Sequence, residues 1–239
     1  MRAIATIAAR EWHTYTSSPV AYVVAAVFLA LSGYLFSLIL FSSRQATLRY
    51  LFENIGFLLV LIAPLITMRL FAEERRTGTV ELLLTLPFRD TEVVMGKFTA
   101  SLMLLLLMML PTLWYVALLL FVARTLPDVG PLATGYLGVV LQGATLLSLG
   151  LFASSLTSNQ VVAAVVAFTI GLAFWLIGAA GNFVGGPQVA EVLRYLTFPE
   201  RFQDFARGII DLRSVVFYVS LIAAFLFLTY TSLQTRRWL

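Results

Sequence analysis

Few residues in this sequence could do chemistry, and none is spaced as a known catalytic or metal site. The chain has no cysteine, which excludes thiolate metal sites and iron–sulfur clusters, and one histidine, His13, which excludes His-rich metal sites. A Walker A loop requires Gly-x-x-x-x-Gly-Lys, but Gly96-Lys97 has Thr91 where the first glycine belongs. The sequence therefore predicts a chain that is not an enzyme and that holds no cofactor, nucleotide or metal of its own.

The composition indicates an integral membrane protein. Of the 239 residues, 60% are apolar and 12% are charged, whereas a soluble domain has roughly 25% charged residues. The net charge is +4, and the basic residues do not cluster on a polar domain. Lipid headgroups are therefore the expected partners of these residues, and nucleic acid is not.

Six transmembrane helices are predicted, because about 20 apolar residues are needed to cross the hydrocarbon. The charge-free run 129–190 is too long for one pass, and its polar residues 154–160 indicate a hairpin that divides it. The predicted spans lie near 20–41, 54–71, 99–122, 134–153, 161–180 and 214–233. Residues 1–18 are predicted to form an amphipathic interfacial helix that ends before Pro19. The fold class is an all-α polytopic membrane protein, with 1–239 as a single domain.

The basic residues favour an orientation with both termini in the cytoplasm. In that orientation nine basic residues lie in inner segments and seven in outer ones. Four of the seven lie in the outer segment 181–213, where they alternate with acidic residues. This segment is predicted to form short amphipathic helices at the outer interface, interrupted by Pro199.

The cytoplasmic loop 72–97 is predicted to contain a short helix that needs a partner surface. Gly78 is expected to end the second span, Thr79 to cap a helix at Val80–Leu86, and Pro87 to stop it. Seven residues are fewer than the ~12–15 at which an isolated helix becomes marginal. Its apolar side chains require lipid or protein to cover them, and a turn lying on the membrane surface is the alternative.

The spans carry no acidic, basic or histidine side chain in their interiors. Ion-driven transporters and proton relays usually carry such side chains inside the membrane, so coupling to an ion gradient is disfavoured. A sodium site formed by the backbone of broken helices stays open as an alternative. Any work that the chain performs is therefore expected to be driven from outside.

The residues from Phe71 to Pro87, followed by Gly96-Lys97, resemble the signature of type-2 ABC exporter permeases. The resemblance extends over the whole chain and includes the N-terminal surface helix, the six spans and the polar turn at 154–160. The stretches Thr67–Phe71 and Leu156–Gln160 are most similar to the gliding-motility-associated branch of that family.

The resemblance implies a permease subunit of the cell inner membrane that has no ATPase activity. Such a subunit pairs with a second permease subunit, identical or different, and each docks one cytosolic ATP-binding subunit that holds the ATP and magnesium. The helix after the second span would be the coupling helix, residues 188–211 would form outer re-entrant helices, and an accessory subunit with an extracytoplasmic domain is suspected. The implied coupling interface comprises Glu73, Glu74, Arg75, Gly78, Thr79, Glu81, Leu82, Leu83 and Pro87, with Arg10 and Glu11 as a second contact.

Alternatives stay open at three points. Glu73 and Glu74 could instead pair with Arg76 or Arg69 at an exposed helix end, which would contribute little energy. Gln142, Thr145 and Ser148 share one face of the fourth span as a candidate translocation path, but such groups also bond to neighbouring helices. For the whole chain, the alternative function is a non-transporting scaffold or anchor for an envelope or motility complex.

Overall fold

Helices are the only regular elements in the described parts of the chain. The computed structural model describes residues 2–43, 48–78, 89–123, 129–180 and 186–236. The predicted short helix at Val80–Leu86 lies outside these ranges. The helices are α1 (Arg2–Ser17), α2 (Pro19–Ser43), α3 (Arg49–Thr67), α4 (Arg69–Arg76), α5 (Asp90–Met109), a 3-10 turn (Leu110–Thr112), α6 (Leu113–Ala123), α7 (Val129–Leu156), α8 (Gln160–Ala180), α9 (Pro187–Tyr195), α10 (Phe198–Ala206) and α11 (Leu212–Arg236).

Within the described ranges, the six predicted spans are confirmed as six helices that are long and apolar enough to cross a membrane. They are Pro19–Phe41, Arg49–Arg76, Asp90–Leu119, Val129–Leu156, Gln160–Ala180 and Leu212–Thr235. The second and third are longer than the charge-free runs, because charged residues continue a helix beyond the hydrocarbon. In α3, for example, Arg49 and Glu53 form an exposed ion pair of 3.3 Å one turn apart.

Two of the spans form the centre of the bundle. In the most apolar part of each span, 72% of the α3–α4 residues and 78% of the α7 residues are buried, against 22% for α2, α8 and α11. In a membrane such apolar, exposed helix faces contact lipid or another subunit. Thus α3 and α7 position the other elements, and α2, α8 and α11 offer the outer surface.

The two central helices cross closely at Gly150 of α7. A Cβ atom there would overlap the side chain of Thr67 at the end of α3. Thr67 is completely buried, and its hydroxyl donates to the Ala63 carbonyl of its own helix at 2.9 Å. Small residues at such crossings let two helix backbones approach closely. The van der Waals packing that results helps to hold helices together in lipid.

The helices at the two ends of the bundle are amphipathic, as predicted. In α1, Ala8 and Tyr15 are buried while Arg10 and His13 are exposed. At the same end, α7 and α8 are joined by the predicted polar turn, where the Asn159 side chain accepts the Val161 N–H at 2.9 Å. At the opposite end lie α9 and α10, and Pro199 occupies the first turn of α10, where a proline without an N–H is tolerated.

Candidate functional site: a buried lysine joins α1, α4 and α5

Lys97 of α5 lies at the junction of three helices, with its side chain only 1% exposed. Its ammonium group donates to Glu11 Oε1 of α1 at 2.7 Å, to Glu74 Oε1 of α4 at 2.7 Å and to the Leu70 carbonyl at 2.8 Å. A lysine ammonium has three N–H donors, so all three are used. This Lys97 cluster, defined as Lys97, Glu11 and Glu74, links α1 and α4 through α5.

The cluster is largely dry. The side chains of Glu11 and Glu74 are 13% and 16% exposed, and the Lys97 ammonium lies 5.1 Å from the centre of the Phe71 ring. Charges in such a site are stable only when they are paired and hydrogen-bonded, because desolvation costs several kcal/mol per ion. Each partner therefore needs the others in place, and the three helix segments are held in one arrangement.

Gly96 allows α1 to reach α5 next to the cluster. A Cβ atom at Gly96 would lie 2.7 Å from Ile7 Cγ2, 2.8 Å from Ile7 Cβ and 3.3 Å from the Ile4 carbonyl oxygen. These distances are too short for carbon atoms, and Ile7 Cβ is attached directly to the α1 backbone. The close approach that brings Glu11 to Lys97 thus depends on the absence of a side chain at Gly96.

We expect Gly96→Ala to destabilise the protein by about 1 kcal/mol, because α1 must move outward to admit the methyl group. Thermal unfolding of the purified chain in detergent measures the change. Gly186→Ala is the matched control, since a Cβ at Gly186 meets nothing within 4 Å and its φ is −66°. Equal unfolding temperatures for the two variants would contradict close packing at Gly96.

A second set of contacts fixes the C-terminal end of α1. Arg69 donates to Ser18 Oγ at 2.7 Å and to the Thr14 carbonyl at 3.3 Å, and its guanidinium lies 4.8 Å from the centre of the Tyr15 ring. Burial raises the pKa of the Tyr15 hydroxyl well above its usual range, so the hydroxyl stays protonated and donates to the Ile66 carbonyl at 3.0 Å. Helix α1 is therefore attached to the α3–α4 junction as well as to α5.

At this α3–α4 junction, a serine of α7 enters the helical hydrogen-bond ladder. Ser154 Oγ accepts the N–H groups of Phe71 and Ala72 at 3.0 and 3.1 Å, and it donates to the Met68 carbonyl at 2.9 Å. In a regular helix the Ala72 N–H would bond to the Met68 carbonyl directly. A side chain inserted into the ladder is a known cause of helix bending. Ser154 thus separates α3 from α4 and ties α4 to the centre of the bundle.

Residues 42–238 match the sequence model of the ABC-2 family transporter proteins. The matched region includes Glu74, Gly96 and Lys97, and it excludes α1 with Glu11. The chain belongs to this family. No curated protein is detectably similar to it in sequence. With its six apolar spans, the chain is a multi-pass membrane permease of an ABC transporter, a family whose members are typically non-catalytic and work with an ATP-binding partner.

The structure places part of the predicted coupling interface of the permease around the Lys97 cluster. Glu11 and Glu74 lie in the cluster itself, while Arg10 and Glu73 are exposed beside it. Gly78 has a φ of +71° and ends α4 as predicted, and Arg75 lies in the last turn of α4. The other predicted residues, Thr79, Glu81, Leu82, Leu83 and Pro87, lie outside the described residues. The role of all these residues in coupling stays a prediction.

The three polar residues of the candidate path are completely buried inside this ABC-2 permease. Gln142 donates to the Gly56 carbonyl of α3 at 3.0 Å, and Thr145 Oγ1 lies 3.5 Å from the Tyr218 carbonyl of α11. Ser148 donates within its own helix, to the Thr145 carbonyl at 2.8 Å. The Gln142 contact thus bonds a neighbouring helix, which is the alternative that the sequence left open, while Thr145 also donates to the Leu141 carbonyl of its own helix at 2.9 Å. A path along this face stays a prediction.

Sequence reasoning missed the central position of Lys97. Lys97 belongs to the residues that resemble the family signature, but no role in the coupling interface was predicted for it. One signal was available, because Lys97 is the only lysine in a chain with fifteen arginines. A lysine ammonium is a compact group with three rotatable N–H donors, whereas the guanidinium of arginine is planar and its N–H groups point in fixed directions. The lysine ammonium therefore fits better between two carboxylates and a carbonyl at a helix crossing.

Proposed function

We propose that this permease exports its substrate when a separate cytosolic ATPase drives it through the end of the bundle that carries the Lys97 cluster. The ATPase would bind the ATP and magnesium and contact the segment 79–88, with the exposed part of α1 as its second contact. This chain would contribute the membrane path and a mechanical connection, and no catalytic residue.

The observation that carries the proposal is the Lys97 cluster. The segment 79–88 follows α4, and α4 is held to α1 and α5 by three hydrogen bonds to one ammonium group. A force on that segment therefore acts on α1, α4 and α5 together. Through Ser154 it also reaches α7, the most buried span. Such a connection suits a subunit whose energy comes from a partner.

The finer features of the proposal follow from the family resemblance. Two permease subunits, identical or different, would pair in the cell inner membrane with both termini cytoplasmic, and rocking of the pair would open the path. The spans α2, α8 and α11 carry exposed apolar residues that are available for lipid or subunit contacts. The gliding-motility-associated branch, and with it an accessory subunit that has an extracytoplasmic domain, is part of this proposal.

We expect the double variant Glu81→Lys and Leu83→Asp to lose at least about 90% of its ATPase partner. The substitutions reverse one charge and place another on the apolar face that would dock. The tagged full-length chain is purified from its native membrane in detergent, and nucleotide-binding protein is quantified by photolabelling with azido-ATP. Glu53→Lys with Ile209→Asp is the matched control, because both residues lie at the opposite end of the bundle.

Retention of the labelled partner by the double variant would show that the segment 79–88 is not the docking site. The scaffold alternative is tested separately with the intact complex in vesicles. A transporting permease couples ATP turnover to movement of a substrate and changes the turnover rate of the ATPase, whereas a scaffold leaves that rate unchanged.

A further inference from the structure

Arg201 of α10 is a buried arginine that lacks a carboxylate partner in the described part of the chain. The residue is 9% exposed. Its Nε donates to the Tyr195 carbonyl at 2.9 Å, and its guanidinium stacks 3.3 Å from the centre of the Tyr195 ring. Its Nη2 is buried and has no hydrogen-bond partner among the described residues. A buried cation in this state is costly, and an anionic acceptor would relieve that cost.

Arg201 lines a cavity of about 230 Å³ together with Glu191, Arg194, Tyr195 and Glu200. The cavity wall thus carries two cationic and two anionic side chains. Arg194 and Glu200 lie 3.9 Å apart and are 52% and 46% exposed, so this ion pair is weak and can separate at little cost. The charge pattern suits a ligand with one negative and one positive group better than a simple anion.

A second cavity, of about 360 Å³, shares Tyr195 with the first. It is lined by Tyr195, Leu212, Arg213, Val216, Phe217 and Ser220. Leu212 and Val216 are 72% and 57% exposed, and they belong to α11, one of the spans. The second cavity therefore opens on the membrane face of α11, and it offers an apolar surface to a chain that enters from the lipid.

We propose that the two cavities together bind one phospholipid with an amine-bearing headgroup. Its phosphate contacts Arg201, with Arg194 and Arg213 nearby, and its ammonium contacts the exposed carboxylates of Glu191 and Glu200. One acyl chain lies along Val216 and Phe217. The apolar second cavity favours a membrane lipid over a soluble phosphate compound. The site is at the end of the bundle opposite the Lys97 cluster, and it does not depend on whether an ATPase drives the chain.

The test is a lipid titration of the full-length chain in detergent, followed by native mass spectrometry. The probes are dioleoyl phosphatidylethanolamine and dioleoyl phosphatidylglycerol, with free phosphoethanolamine and inorganic phosphate as competitors. We expect phosphatidylethanolamine to bind about tenfold more tightly than phosphatidylglycerol, and neither soluble competitor to displace it at equal concentration. Arg201→Gln should weaken binding of both lipids by about 10- to 100-fold, since a hydrogen-bonded charge is lost.

Two further variants make the result specific. Glu191→Gln changes an exposed side chain and removes one of the two carboxylates, so it should reduce the preference for phosphatidylethanolamine while phosphatidylglycerol still binds. Arg207→Gln replaces an exposed arginine outside both cavities and should change nothing. The proposal is overturned if Arg201→Gln binds both lipids as tightly as the natural chain, if Arg207→Gln weakens binding as much as Arg201→Gln does, if Glu191→Gln keeps the full lipid preference, or if the soluble compounds displace the lipid. The lipid preference measured for Glu191→Gln tests the proposal even if Arg201→Gln fails to fold.

Discussion

Replacing Lys97 with methionine is expected to lower the free energy of unfolding by about 3–5 kcal/mol, the cost of removing one partner from a buried ion pair. Methionine fills a similar volume but removes the ammonium that Glu11 and Glu74 share, and these carboxylates are only 13% and 16% exposed. The helices α1 and α4 should then separate. Denaturant titration of the purified chain in mixed micelles measures the loss.

The control for Lys97→Met is the triple variant with Glu11→Gln and Glu74→Gln. It removes all three charges, so no uncompensated carboxylate remains, and most of the lost stability should return. In the complex with the proposed ATPase, the triple variant should couple ATP turnover to substrate transport less efficiently than the natural chain does. The reason is that the ionic connection between α1 and α4 is gone. If Lys97→Met alone unfolded like the natural chain, the cluster would not hold the three helices together.

Replacing Ser154 with alanine is expected to cost about 2 kcal/mol and to loosen α4. The Met68 carbonyl and the N–H groups of Phe71 and Ala72 lose a shared partner in a buried site, and each unsatisfied group costs about 1–3 kcal/mol. The loss is reduced because the Ala72 N–H can return to the Met68 carbonyl in the regular helical pattern. That return should remove the interruption of the helical hydrogen-bond ladder at the α3–α4 junction and shift the end of α4.

Ser155→Ala is the matched control for Ser154→Ala. Ser155 is the next residue and is equally buried, but its hydroxyl donates only to the Phe152 carbonyl of its own helix. Spin labels on cysteines placed at Glu73 and Ser158, both exposed, report the distance between α4 and the α7–α8 turn. The chain has no cysteine of its own, so only the introduced sites are labelled. An unchanged distance distribution in Ser154→Ala would contradict the role of Ser154 at the junction.

Elements set by local pattern were predictable from the sequence. Apolar run length gave all six spans, because the membrane requires ~20 apolar residues whatever lies beside them. The alternation of buried and exposed residues in α1, the glycine end of α4 and the polar turn at 154–160 also follow from neighbouring residues alone. The starts of α3 and α5 were predicted too late, near 54 and 99, whereas the helices begin at Arg49 and Asp90, because charged turns such as the one with Arg49 and Glu53 stay helical in water.

The candidate site was predictable only in part. Glu11 and Glu74 were named for their place in the family signature, yet their shared partner was not. Lys97 is 86 residues from Glu11 and 23 from Glu74, and no periodicity within one helix indicates which faces of different helices meet. The prediction that Ser154 lies in the polar turn is wrong, because Ser154 belongs to α7, and its position inside the ladder of another helix depends on the crossing of α3 and α7.

The amino-acid order by itself determined that the described part of this chain has six helices long and apolar enough to cross a membrane. Tertiary packing alone decided that one ammonium group joins α1, α4 and α5, and that Arg201 is buried without a carboxylate partner in the described part of the chain. The physical reason is that these interactions depend on different parts of the chain. Transfer of apolar residues into lipid acts segment by segment, whereas charges and hydroxyls in a dry interior depend on the few atoms that distant segments bring within about 3 Å.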